Sequence, residues 1–323
     1  MLKKNSRVSK LLGIEYPVVS ANMNWVTSAE LAAAVSNAGG MGLLGANAGY
    51  KEATPDPVET AERLRTEIRK TRGLTNKPFA GQLMVFGQPG PFAEPCFKVL
   101  LEEDVNAVLC LNDVPGEWIK ELQKQGKKCL HKDIFATRAS FIKAEEMGYD
   151  AVVVAGVDCG GHTNTINIGT MSAIRIATEA TSLPVIVGGG IIDGVTVQIA
   201  GLLGAEGVYV GTRFVASVES PVAEATKKKM VEINTDDLIQ VEGIFGPIRS
   251  IPTSSIKKAY ELMEECHRKN AMEITNTYSG GYRTGMLLGD FENGLLDVSA
   301  AIGQIKSILT VKEIMDEFAT GME

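Results

Sequence analysis

The chain has 323 residues, a formal net charge of −7 and 45% hydrophobic residues. This composition argues against intrinsic disorder or a fibrous repeat, and the acidic balance argues against a nucleic-acid-binding protein. The five cysteines show no close pairing, so we expect neither a disulfide framework nor a metal site. The sequence shows neither a secretory leader nor an apolar run of membrane-spanning length, so we expect a cytoplasmic protein that does not bind membranes.

Short apolar runs alternate along the chain with longer segments of helical period, a pattern that predicts parallel strands joined by helices. The predicted strands are 17–21, 41–44, 79–85, 107–111, 128–131, 151–155, 184–187 and 207–210. The predicted helices between and after them are 28–37, 57–72, 92–102, 117–125, 137–147, 170–180 and 194–203. Ser28 is placed to cap the first of these helices, and Gly39-Gly40 to end it.

Eight such units within about 230 residues predict an α/β fold of the (β/α)8 TIM-barrel type over residues 1–234. A doubly wound sheet would give the same local alternation, so that fold remains the alternative. Residues 235–323 contain two further predicted helices, 254–270 and 298–318. We interpret this part as a C-terminal helical extension or lid packed on the barrel within the same domain.

Two glycine-containing turns follow consecutive late strands. The first is Gly188-Gly189-Gly190, before a predicted helix, and the second is Gly211-Thr212. Glycine lets the backbone approach an anion closely, and helix N–H groups attract phosphate. Barrels often bind phosphate after their seventh and eighth strands. The sequence therefore favours a phosphate site, although tight turns without a ligand remain the alternative.

Gly160-Gly161-His162 follows the sixth strand, at the catalytic end of the predicted barrel. An imidazole on such a loop can move protons near neutral pH, so His162 is the candidate catalytic residue, with a structural histidine as the alternative. His131 and Lys132 end the fifth strand, and we expect both to point toward the same end. His267 is expected to be an exposed helix residue, and a Cys159 nucleophile is disfavoured.

Taken in order, several motifs resemble those of the nitronate monooxygenase family, which also includes FMN-dependent quinone reductases and enoyl-acyl carrier protein reductase II. They are the segments at 12–17, 31–42, 131–132, 148–152, 158–162, 188–191 and 211–214. The resemblance covers nearly the whole chain. It implies an FMN barrel in which His162 faces the substrate above the flavin.

The resemblance also implies a set of cofactor-binding residues. Gly189, Gly190, Gly211 and Thr212 would hold the phosphate, and Gly188 is a further cofactor-binding residue. The residues implied along the flavin ring and its edge are Asn22, Met23, Asn24, Gln82, Lys132, Gly161 and Tyr209. Three positions depart from the family's usual residues: Gln82 replaces an asparagine, Ala155 an acidic residue and Tyr209 a smaller polar one.

The leading functional prediction is oxidation of alkyl nitronates by FMN and O2. The second is reduction of an enoyl thioester or a quinone by NAD(P)H through FMN, and only the enoyl version requires an acyl carrier protein as partner. For that partner, the basic run 227–229 is the candidate surface. A non-catalytic FMN-binding protein is the third reading. A small-molecule substrate and a possible homodimer complete the expectations.

Overall fold

The computed structural model describes residues 1–134, 137–163, 166–244, 246–265 and 271–323. The strands are β1 (Val18–Ser20), β2 (Gly42–Leu44), β3 (Phe79–Val85), β4 (Ala107–Asn112), β5 (Lys128–Lys132), β6 (Ala151–Ala155), β7 (Gly161–His162), β8 (Val185–Gly188), β9 (Gly207–Val210), β10 (Ile239–Gly243) and β11 (Gly246–Ser250). The helices are α1 (Arg7–Leu12), α2 (Ala29–Asn37), α3 (Pro57–Leu74), α4 (Ala93–Glu102), α5 (Gly116–Lys124), α6 (Arg138–Glu146), α7 (Thr170–Ala180), α8 (Gly194–Leu202), α9 (Thr212–Val215), α10 (Glu224–Glu232), α11 (Ser254–Glu265), α12 (Ala271–Tyr278), α13 (Gly281–Leu288) and α14 (Val311–Ala319).

Eight parallel strands form the barrel, in the order β1-β9-β8-β6-β5-β4-β3-β2. A parallel bridge between Val19 and Met41 links the two end strands and closes the sheet. The predicted TIM barrel is therefore confirmed, and each of the eight predicted strands overlaps one barrel strand. The doubly wound alternative is wrong, because an open sheet has no such closure.

The strands are buried on both faces, which explains their continuous apolar sequences. Alternate side chains point into the barrel, where Leu109, Leu130, Val153 and Ile186 pack together. Helix α1 adds Val8 and Leu12 to the same cluster, so it closes the end of the barrel at which the strands begin. The opposite end, where the strands finish, is left for the loops.

The helices form the outer layer. Ser28 accepts a hydrogen bond from the backbone N–H of Leu31 and so caps α2, as the sequence predicts. A large cluster of apolar side chains lies between the helices and the outer faces of the strands. In the described part of the chain, no helix has the length and apolar content needed to cross a bilayer.

Residues beyond 234 first build a hairpin and then helices. The antiparallel hairpin β10–β11 pairs with β7, which extends from the barrel after β6. A separate apolar cluster that includes Val241, Ile256 and Ile274 holds the hairpin against α11 and α12. Helix α14 instead packs on α2 and α8, in the barrel's outer layer.

The predicted helix over 298–318 is wrong as a single element. The structure has a short 3-10 helix at Ala300–Gln304 and then α14 at Val311–Ala319. Thr310 and Glu313 form a capping box, which starts a new helix instead of continuing an old one. The predicted helix over 254–270 corresponds to α11 up to Glu265, and its remainder, with His267, lies outside the described residues.

Candidate active site

A cavity of about 510 Å³ opens at the carboxyl ends of the barrel strands. Most of the residues predicted for the site line it: Asn22, Met23, Asn24, Lys132, Gly161, His162, Gly188, Gly189, Gly190, Tyr209, Gly211 and Thr212. Apolar side chains form another part of the wall, namely Met84, Phe86, Leu111, Ile134, Ile248 and Leu295. The barrel thus brings polar groups from distant loops around one largely apolar space.

The loop after β8 turns sharply at Gly189 and Gly190, with φ of +105° and +72°. A Cβ atom on Gly189 would lie 2.6 Å from the hydroxyl oxygen of Thr170, so both the conformation and the space require glycine there. The glycine-rich backbone can therefore approach a ligand in the cavity closely.

The start of α8 differs from the sequence-based expectation. Asp193 accepts a hydrogen bond from the backbone N–H of Thr196 at 2.8 Å and forms a capping box with that residue. The protein's own carboxylate therefore occupies the helix N-terminus. An anion bound after β8 would therefore meet the glycine loop and not the capped N-terminus of α8.

The loop after β9 is tied to the C-terminal part of the chain. The hydroxyl oxygen of Thr212 accepts a hydrogen bond from the backbone N–H of Ser299 at 2.9 Å. The Ser299 hydroxyl in turn donates to the carbonyl of Asp158 at 2.6 Å. One C-terminal residue thus joins the loops that follow β9 and β6.

His162 lies in β7, paired with Ile248 of β11, and its side chain is exposed to the cavity. The surrounding protein desolvates the imidazole and lowers its pKa below the usual 6.5. At neutral pH the ring is therefore predominantly uncharged, which suits a group that accepts or shares a proton.

Lys132 and His131 lie on opposite sides of β5, because successive strand residues alternate. Lys132 lines the cavity, and burial lowers the pKa of its ammonium group. His131 instead faces the helix layer, where its ring centroid is 4.9 Å from that of Tyr149. Both residues end β5, as the sequence predicts, but His131 does not line the cavity.

Gln82 is the one predicted site residue that does not line the cavity. It is buried in β3, and its side-chain oxygen has no hydrogen-bond partner among the described residues. It shares the inward face of the strand with Met84, which lies two residues nearer the open end and does line the cavity. On this strand, Met84 and not Gln82 therefore lines the cavity.

Tyr209 fastens the loop after β1. Its hydroxyl oxygen accepts the backbone N–H of Asn22 at 2.6 Å and also hydrogen-bonds to the Asn22 side-chain oxygen. Burial raises the pKa of this phenol, so it stays neutral. The ring itself forms part of the cavity wall.

Sequence reasoning missed the contribution of the C-terminal part to the wall, namely Tyr282, Leu295, Asp297 and Ser299. The Tyr282 hydroxyl donates to the carbonyl of Met23 at 3.3 Å, a contact between residues 259 positions apart. The single acidic residue in the apolar run 295–298 was the one available signal.

Cys159 also lines the cavity, and burial raises the pKa of its thiol. A thiol in that state is a poor nucleophile, in agreement with the expectation against a cysteine nucleophile. Asp158, its neighbour, accepts hydrogen bonds from the backbone N–H and the hydroxyl of Thr170. The hydrogen bonds between Asp158 and Thr170 therefore support the loop after β6.

The donor groups of the cavity fit a flat anionic cofactor such as FMN. The glycine loop supplies backbone that a phosphate can approach, and Lys132 supplies a cation whose ammonium group makes no hydrogen bond to any described residue. The apolar wall suits an aromatic ring system. A phosphate, a ring and a substrate would then share one space.

Comparisons with known proteins agree with this architecture. The chain matches the profile of the family described as nitronate monooxygenase over residues 5–89 and 87–321. It is 32% identical to the nitronate monooxygenase of Pseudomonas aeruginosa, with 69% of this chain and 73% of that protein covered. It is 29% identical to a probable nitronate monooxygenase of Staphylococcus saprophyticus, with 82% and 83% covered.

Similar solved structures also cover almost the whole chain. FabK from Thermotoga maritima is 33% identical and superimposes with a TM-score of 0.86. The match covers 98% of this chain and 96% of FabK, so the C-terminal part is included.

Proposed function

This chain belongs to the nitronate monooxygenase family and is an oxidoreductase, and from that premise we propose that it binds FMN and oxidises alkyl nitronates to carbonyl compounds and nitrite. The observation that carries the proposal is the meeting of a glycine-rich anion cradle, an uncharged histidine and an apolar wall in one cavity. The names of two relatives support the choice of substrate.

In this proposal the flavin supplies the electron transfer to O2, and the protein binds and orients. Gly189 and Gly190 would hold the phosphate, and Lys132 would supply positive charge for the ring. His162 hydrogen-bonds to the nitronate and holds it at the reacting face. The alkyl group packs against Met84 and Ile248 in the apolar wall.

The whole-chain similarity to FabK favours a second candidate, NAD(P)H-driven reduction of an enoyl thioester or a quinone. His162 would then donate a proton to the substrate. The docking surface expected for an acyl carrier protein is weaker than the sequence indicates. Lys227 is buried, and its ammonium group donates to the carbonyl of Val218 at 3.1 Å, so the run 227–229 does not form a continuous basic patch.

Anaerobic stopped-flow absorbance tests the two candidates. The FMN-loaded protein is mixed separately with NADH, NADPH and a short alkyl nitronate. Bleaching of the flavin by the nitronate alone supports nitronate oxidation. Bleaching by a nicotinamide alone supports the reductase candidate. No response to any of the three contradicts both, and failure to take up FMN contradicts the cofactor assignment itself.

A further inference from the structure

Asp297 and His162 lie side by side on one strand edge. β11 pairs antiparallel with β7, so that Ile248 lies opposite His162 and Arg249 opposite Gly161. The next residue of β11, Ser250, bridges antiparallel to Asp297. Asp297 therefore continues the row of partners that begins with His162 and Gly161, although it comes from a segment 135 residues away in the sequence.

The register places both side chains on the same face of this small sheet. Side chains directly opposite each other share a face, and positions two apart along a strand share it too. His162 and Asp297 are two positions apart along β11, at roughly 7 Å for two strand residues. Gly161, between them, adds no side chain, and a Cβ atom there would lie 3.3 Å from the Oδ2 atom of Asp297.

Both side chains line the cavity. The hydrogen bond found for the Asp297 carboxyl group within the described residues comes from its own backbone N–H. No described cation forms an ion pair with it: Arg249, on the other face of β11, donates to the carbonyls of Val157 and Cys159. Desolvation raises the pKa of Asp297 from 3.8 to about 7.

We propose that Asp297 is a second substrate-binding residue, which hydrogen-bonds together with His162 to a substrate carrying a planar group with acceptor oxygens. A nitronate has such a group, and the inference rests on the proposed function in this respect. The uncharged carboxylic acid donates its O–H to one oxygen, while His162 contacts the other. The ionised carboxylate repels the same ligand, so the charge of Asp297 controls binding.

Several other titratable groups lie around the cavity. The pKa of His162 is lowered below 6.5, and the pKa values of Cys159 and Tyr282 are raised above their ordinary 9.0 and 10.0. The carboxylate of Asp158 accepts a hydrogen bond from the Thr170 hydroxyl. The pKa of Lys132 is lowered from 10.5, so Lys132 is the second group whose titration an experiment must separate.

Nitrate is a suitable probe, because it is planar, anionic and not oxidised by the enzyme. Its dissociation constant is measured from the flavin absorbance of the FMN-loaded protein between pH 6 and 9. For the wild type we expect affinity to fall about tenfold for each pH unit above 7, because only the protonated acid binds the anion. Asp297→Asn should bind nitrate with nearly constant affinity over the same range.

Three further variants complete the design. Asp297→Ser also removes the titration and covers the case in which the asparagine variant folds poorly. Asp236→Asn, an exposed acid outside the cavity, should retain the wild-type profile. Lys132→Met should weaken nitrate binding but keep its decline above pH 7.

The proposal is wrong if both Asp297 variants keep the wild-type pH profile, or if the wild type does not bind nitrate at pH 6. Because no turnover is measured, these outcomes are independent of whether nitronates prove to be the substrate. An enzyme that binds nitrate as described but does not react with nitronates would overturn the proposed function and leave the role of Asp297 intact.

Discussion

The Tyr209 hydroxyl lies 2.6 Å from the backbone nitrogen of Asn22 and joins the ninth strand of the structure to the loop after the first. These two strands are neighbours in the barrel, and both Tyr209 and Asn22 line the cavity. The bond holds the loop that carries Met23, whose carbonyl accepts the Tyr282 hydroxyl of the C-terminal part. The Tyr209 hydroxyl therefore helps to position the loop at Asn22 and Met23, which contacts the C-terminal part through Tyr282.

Tyr209→Phe should destabilise the protein by about 1 kcal/mol, because it leaves the half-buried N–H of Asn22 without its partner. Urea denaturation of the FMN-free protein measures the change. Tyr149→Phe is the matched control, since the buried Tyr149 hydroxyl has no hydrogen-bond partner among the described residues and its removal should be neutral or stabilising. Equal costs for both variants would contradict the role assigned to the Tyr209 bond.

Gly189→Ala should lower FMN affinity by at least tenfold, because the new methyl group strains a φ of +105° and lies 2.6 Å from the Thr170 hydroxyl. Fluorescence titration with FMN measures the affinity. Gly204→Ala is the control, with nearly the same φ of +104° in a turn outside the cavity. Both variants should lose stability, but only Gly189→Ala should lose FMN affinity. An equal loss of FMN affinity in Gly204→Ala would show that backbone strain, and not the position of Gly189 in the cavity, weakens FMN binding.

His162→Gln should reduce turnover by about 10²–10⁴-fold, the usual contribution of a positioned proton-transfer group. FMN affinity should change by less than threefold, because the side chain is assigned to the substrate and not to the cofactor. Steady-state kinetics and FMN titration measure the two quantities. If FMN affinity falls as much as turnover, His162 is a cofactor-binding residue instead.

His131→Phe should remove part of the acid sensitivity of the fold. Burial lowers the pKa of His131 to about 4, whereas the unfolded chain has the ordinary 6.5. Below pH 6.5 the unfolded state therefore binds a proton that the native state does not, and stability falls as pH falls. Between pH 7.5 and 5 the wild type should lose about 2 kcal/mol more than the variant. Parallel stability curves from urea denaturation would contradict this.

The barrel could be predicted from the sequence because each of its strands is buried on both faces. Runs such as 151–155 and 185–187 are continuous and apolar, and glycine or helix-forming segments separate them. The glycine loops and His162 could be placed at one end for the same reason, since parallel strands all finish at that end. The local sequence pattern was sufficient to predict these strands and the end of the barrel at which their loops lie.

The rest depends on contacts between distant segments. Nothing in the residues around Asp297 indicates that a bridge to Ser250 aligns it with His162. Met84 lines the cavity and Gln82 does not, because the cavity begins near the end of β3. Sequence periodicity does not reveal that depth. The N-terminus of α8 is capped by the side chain of Asp193. Sequence alone does not specify the rotamer that makes this contact.

The contact between Tyr282 and Met23 has a consequence for how ligands affect the whole molecule. A molecule that fills the cavity contacts segments near both ends of the chain, so both segments contribute to its binding. Its binding free energy therefore opposes every partial opening that separates those segments, as well as complete unfolding. Saturating cofactor should slow amide hydrogen exchange throughout the barrel, and proteolysis should begin only after the cofactor has dissociated.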